Sequence, residues 1–115
     1  MSNTKAPIGT YLATTEDDRV YLPPAIADFV RGSEWARILA VAGDEMLTLY
    51  PEPYPGVESS AGFQTEMKPS GAIAIGETNR LAVKLSGQGV MARVEGDVIR
   101  IYLRRVFQTL GFRPE

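Results

Sequence analysis

The chain has 115 residues, with 12 Lys and Arg against 14 Asp and Glu, and it contains neither histidine nor cysteine. That length supplies interior for one domain or two very small ones, and 44% hydrophobic residues argue against disorder as the overall state. Without Cys there is no thiolate nucleophile, zinc–thiolate site, iron–sulfur cluster or disulfide, and without His there is no serine triad, imidazole metal site or histidine base. Any catalysis would rest on carboxylates, three lysines or hydroxyls, so a binding protein without catalytic residues, metal or cofactor is expected. Met1-Ser-Asn-Thr-Lys-Ala-Pro-Ile-Gly9 lacks the apolar stretch of a secretory signal, and the apolar runs fall far short of the roughly 20 residues that cross a bilayer. The expectation is a soluble, cytoplasmic protein with no membrane partner.

In chain order, Gly9 to Leu12 starts a strand, and Thr14-Thr-Glu-Asp-Asp18 reads as a polar loop. Arg19-Val-Tyr-Leu22 is a short β-prone run that Pro23-Pro24 ends, because proline cannot donate to a ladder while its fixed φ suits the first turn of a helix. Ile26, Phe29 and Val30 then share one helical face, and Gly32 is placed to stop the helix. Arg37-Ile-Leu-Ala-Val41, a turn at Gly43-Asp44-Glu45, and Met46-Leu-Thr-Leu-Tyr50 read as a β-hairpin. The stretch 51–71 is rich in Pro, Gly and Ser, which disfavours both helix and central strand and predicts a linker or long surface loop. Beyond it, Leu81, Val83 and Leu85 alternate, Gly87-Gln-Gly89 turns, and Val90, Ala92 and Val94 alternate again. Glu95-Gly96-Asp97 is a tight turn before Ile99, Ile101 and Leu103, and Leu103, Phe107 and Leu110 recur at helical spacing. The predicted division is therefore 1–50, a connecting segment 51–71, and a β-β-β-α module over 72–115.

Charge follows the same division: 1–50 carries −3, 51–71 carries −2 and 72–115 carries +3. Five of the seven positive groups of the last segment, Lys84, Arg93, Arg100, Arg104 and Arg105, invite two readings. One is contact with phosphates or an acidic partner; the other is solubility and unpaired edges for an ordinary apolar sheet.

The series strand, proline, short helix and hairpin over residues 9–50 carries a resemblance. Asp18-Arg19-Val20-Tyr21-Leu22-Pro23, then Ala25-Ile26-Ala27-Asp28-Phe29-Val30, then Ile38 to Val41, the turn, and Met46 to Leu49 resemble the AbrB/SpoVT swapped-hairpin family of bacterial regulators. That family includes the MazE antitoxins and, as tandem copies, MraZ. The resemblance implies a mainly β fold with short helices, in which two chains interlace hairpins into one small barrel. A hairpin unit alone buries too little apolar surface to be stable, so folding and dimerisation would be one event. It further implies a homodimer or higher homo-oligomer with Val20, Leu22, Ile26, Phe29, Trp35, Ile38, Leu47 and Leu49 in the interface. It implies transcription regulation through duplex DNA, with Arg19 at the family's basic position. Against DNA contact, Leu12, Ala27 and Asp28 stand where DNA-binding members carry Arg or Lys, and Asp18 replaces the usual Gly. Affinity for duplex DNA comes largely from clustered basic residues, so a protein-interaction module that kept the fold and lost the basic face is the alternative. Residues 77–83 echo 16–22 faintly, but no proline-initiated helix follows Val83, so a second copy at that position is not expected.

Overall fold

The computed structural model describes residues 6–16, 19–33, 35, 37–43, 46–75 and 89–102. Eight strands and one helix make up the regular structure of these residues: β1 Tyr11–Glu16, β2 Arg19–Tyr21, α1 Pro24–Gly32, β3 Arg37–Gly43, β4 Met46–Glu52, β5 Phe63–Thr65, β6 Ala72–Ala74, β7 Gly89–Glu95 and β8 Val98–Tyr102. All pairings are antiparallel, and the strands form one sheet in the order β5-β3-β4-β8-β7-β1-β2-β6. The sheet curls until it nearly closes as a barrel, the two ends meeting at a single bridge between Met67 and Ile73.

Alternation explains why these residues make this sheet. Along β3 and β4, Ile38, Ala40, Leu47 and Leu49 point inward; along β7 and β8, Val90, Ala92, Ile99 and Ile101 do the same. Ala13, Val20, Ile73 and Ile75 complete the lining, and all of these are at most 2% exposed. One end is covered by α1, whose Ile26, Ala27 and Val30 join the same interior. Pro23 stays extended at the helix N-cap while Pro24 occupies the first turn, and the amides of Ile26 and Ala27 both donate to the Pro23 carbonyl.

The sheet order hides a repeat. Adding 52 to the residue numbers of β3 and β4 gives β7 and β8: Ile38 becomes Val90, Ala40 becomes Ala92, Leu47 becomes Ile99 and Tyr50 becomes Tyr102. The same shift carries Tyr11 of β1 onto Phe63 of β5. Registers obey it too, since Tyr11 pairs with Ala92 and Phe63 pairs with Ala40. β4 and β8 meet about a pseudo-twofold axis at Thr48 opposite Arg100, and β2 and β6 meet about its other end, with Val20 opposite Ile73 and Tyr21 opposite Ala72. The chain thus holds two copies of one strand pattern, interlaced. The counterpart of α1 falls at 76–84, outside the described residues.

Several expectations are met in part and others change. Residues 11–52 do not close on themselves; the strands threaded beside them belong to the second half of the same chain, where an intertwined pair of chains was anticipated. The hairpin of 89–102 is built into the same sheet, between β1 and β4, so the sheet does not divide into a first domain and a C-terminal module. Within 51–71, residues 53–62 form an exposed loop with a 3-10 turn at Ser59–Ala61, but Phe63–Thr65 pairs with β3. β1 runs to Glu16, through the threonines expected in a loop, because Thr15 turns inward and is buried. The predicted strand at Leu81–Leu85 and helix at Leu103–Leu110 lie outside the described residues.

Candidate functional site

The residues anticipated at a dimer interface lie inside a single chain. Val20, Leu22, Ile26, Ile38, Leu47 and Leu49 are core, at most 5% exposed, and share one interior with residues of the second copy. Phe29 is buried on α1 and meets Trp35 edge-on at 6.1 Å, with Trp35 packed against the core from the side. Of the candidate DNA contacts, Lys84, Arg104 and Arg105 lie outside the described residues. Arg19 is well separated in the sheet from Arg93 and Arg100, so the structure forms two polar sites rather than one.

The first lies over β2 and β6. Val20 and Ile73 turn inward, so Arg19 and Tyr21 on β2, and Ala72 and Ala74 on β6, face outward. Register sets Arg19 opposite Ala74 and Tyr21 opposite Ala72, a large side chain against a methyl group in each case. The missing volume leaves a groove of about 350 Å³, walled by Arg19, Tyr21, Lys68 and Ser70 and floored by the two alanines. The wall from the second copy is fixed by the turn before β6. Lys68 N donates to Ala72 O and Gly71 N to Lys68 O, both at 2.8 Å, while Leu22 N reaches Gly71 O at 3.0 Å. Gly71 sits at φ +90°, where any side chain is strained, and an added Cβ would come 3.3 Å from the Leu22 carbonyl oxygen. From α1, Arg31 donates to the Pro69 carbonyl at 2.6 Å and pairs with Asp28 at 3.0 Å, tying the helix to this turn. None of the described residues lining the groove is acidic.

The second site is on the outer face of β7 and β8. Arg93 and Arg100 are direct cross-strand partners, an unfavourable pairing on its own. Glu95 offsets it, with Oε2 3.6 Å from Arg93 Nε and Oε1 3.4 Å from Arg100 Nε. Tyr102 donates its hydroxyl to Glu95, and Arg100 Nη1 donates to Thr48 Oγ1 at 3.3 Å. Burial, reinforced by the bond to Glu95, pushes the Tyr102 hydroxyl up to about 12. Both arginines expected to contact phosphate are therefore committed to a carboxylate of their own sheet.

Two further clusters hold the 53–62 loop. Glu52 accepts from Ser59 and from Gln64 Nε2, the latter at 2.9 and 3.0 Å, and these bonds draw its carboxyl below the usual range. Tyr54 donates to Asp97 at 2.6 Å, which raises the Tyr54 hydroxyl, and its ring lies 4.9 Å from that of Tyr50. Sequence reading missed the groove because it is made by what Ala72 and Ala74 lack. The available signal was Lys68-Pro-Ser-Gly71, a turn motif directly before a β-prone run. No helix among the described residues is long and apolar enough to cross a membrane. No protein-family model matches the chain, and no curated protein matches its sequence.

Proposed function

We propose that this chain is a regulator of the AbrB-like swapped-hairpin kind, carrying both hairpin copies in one polypeptide and binding duplex DNA across the groove over β2 and β6. What supports the reading is the construction of that groove. It sits on the pseudo-twofold axis and draws one cation from each copy, Arg19 from the first and Lys68 from the second. The strand pairing beneath the groove is pseudo-twofold, as a DNA duplex is, although the side chains on its two sides differ. The interlacing that the family resemblance assigns to two chains is supplied within this one, so the proposed binding unit is a single-chain barrel. Sedimentation decides that point: a dimer that exchanges strands between chains is the competing result.

Binding is tested by fluorescence anisotropy with a labelled duplex of mixed sequence. Two cations facing phosphates predict an affinity that falls roughly tenfold for a fourfold rise in salt. Arg19→Ala should weaken binding, whereas Arg100→Ala should not. A second reading rests on a specific observation, the capture of Arg93 and Arg100 by Glu95 in a chain of net charge −2. On that reading the barrel is a protein-interaction module, and duplex binding is absent even at low salt.

A further inference from the structure

We propose that Arg31 is a positioning residue for the groove over β2 and β6: it holds the wall that carries Lys68 and does not itself contact DNA. The effect on DNA binding rests on the proposed function, whereas the effect on the wall does not. The wall is the turn Lys68-Pro-Ser-Gly71 of the second copy. It is closed on itself by Gly71 N donating to Lys68 O, and onto β6 by Lys68 N donating to Ala72 O, both at 2.8 Å, so it moves as one piece. The Lys68 side chain makes no hydrogen bond or ion pair among the described residues, so its ammonium stands where its backbone puts it. Two hydrogen bonds tie this piece to the first copy. Leu22 N donates to Gly71 O at 3.0 Å, a single backbone bond that acts as a pivot. Arg31 Nη2 donates to Pro69 O at 2.6 Å, and that carbonyl belongs to the central peptide of the turn, which the turn's own hydrogen bond leaves unheld. A second anchor at Pro69 stops rotation about the first. Arg31 reaches across because its Nη1 is held at 3.0 Å by Asp28 Oδ1, one turn earlier on α1. A planar guanidinium spans the two acceptors, and an ammonium does not. Asp28, which the sequence counts against DNA contact, therefore orients the brace. The pair is exposed, at 45% and 76% of the two side chains, and such a pair adds little to stability, so its removal leaves the fold standing. At the 52-residue spacing Val83 stands in the place of Arg31 and supplies no donor, so the brace serves one side of the axis.

The full chain and four variants are compared by amide hydrogen exchange and by anisotropy with a labelled duplex of mixed sequence over a range of salt. Arg31→Lys keeps the charge and loses the bridge. Its Leu22 and Gly71 amides should exchange about fivefold faster, the worth of one hydrogen bond, while amides of β4 and β8 keep their rates. Its duplex affinity should fall by a similar factor. Arg31→Gln should weaken binding at an unchanged salt slope, because no phosphate contact is lost, whereas Lys68→Gln should lower that slope by about 1. Asp28→Ala makes the net charge more positive, which by electrostatics alone strengthens binding; the brace predicts weaker binding instead. Unchanged exchange in Arg31→Lys overturns the brace, and tighter binding by Asp28→Ala does the same. Faster exchange with an unchanged duplex affinity overturns the positioning role, as does a salt slope lowered by Arg31→Gln, which would make Arg31 a direct contact. If no form binds duplex at low salt, the regulator reading falls, while faster exchange in Arg31→Lys still supports the brace.

Discussion

Ile99→Ala tests whether the two copies share one interior. Ile99 is fully buried on β8, opposite Leu49 of β4, so the substitution removes contacts on both sides of the pseudo-twofold axis. Losing three side-chain carbons from water-excluded surroundings costs roughly 2.5 kcal/mol, and the cavity left in a sheet that cannot collapse locally adds roughly 1 kcal/mol. The chain's single tryptophan, Trp35, belongs to the first copy and rests on its helix through Phe29. Its fluorescence therefore reports unfolding of the half that does not carry the substitution. With a urea dependence of about 1.5 kcal/mol per molar, the Trp35 midpoint should fall by about 2 M. Leu47→Ala, the equivalent position in the first copy, should lower it by a similar amount. A Trp35 transition that ignores Ile99→Ala, with circular dichroism showing a second transition at lower urea, would refute the shared core.

Three other outcomes are expected. Gly62→Ala should destabilise by about 2 kcal/mol and loosen β5, measured by denaturation, because a Cβ there would stand 2.3 Å from the Ala40 carbonyl oxygen, a backbone atom that cannot step aside. Stability should be lost at high pH through Tyr102: its folded hydroxyl is raised to about 12, so the contribution is complete below the unfolded value near 10 and disappears as pH climbs between the two. Tyr102→Phe should flatten that part of a pH–stability curve, and an unchanged curve would refute the assignment of that loss to the buried Tyr102 hydroxyl. Cleaving the exposed loop between Gly56 and Val57 should leave two fragments that fold only when mixed in equal amounts, seen as restored circular dichroism.

Much of this architecture was open to reading from the residues. The proline pair at 23–24 and Gly32 bracket α1 as expected, β3 ends at Gly43 and β4 begins at Met46, and the second hairpin turns at Gly96-Asp97. The repeat was not legible. Across the strands only Ala40 with Ala92 and Tyr50 with Tyr102 are identical at the 52-residue spacing. A barrel interior demands apolar volume rather than particular residues, so Ile38 answers to Val90, Leu39 to Met91 and Leu49 to Ile101 without recognisable identity. The proline signature, present at Leu22-Pro23, is replaced by Ala74-Ile75, which removed the one marker the eye follows. The clue that did survive was spacing: β3 and β7 are both seven residues long, and β4 and β8 each begin three positions after the preceding strand ends. Of the candidate site, Arg19 was identified, but its neighbours were not, because long-range register alone brings Ala74 opposite it and Lys68 into the same groove.

Joining both copies in one polypeptide has an evolutionary consequence. In a homodimer any change at the axis appears twice, so its surface is bound to remain symmetric. Fusion releases that constraint, and drift can equip one side with an arginine while leaving glycine at its counterpart, as at Arg19 and Gly71. A lopsided recognition surface, able to tell one end of its target from the other, becomes reachable by single substitutions.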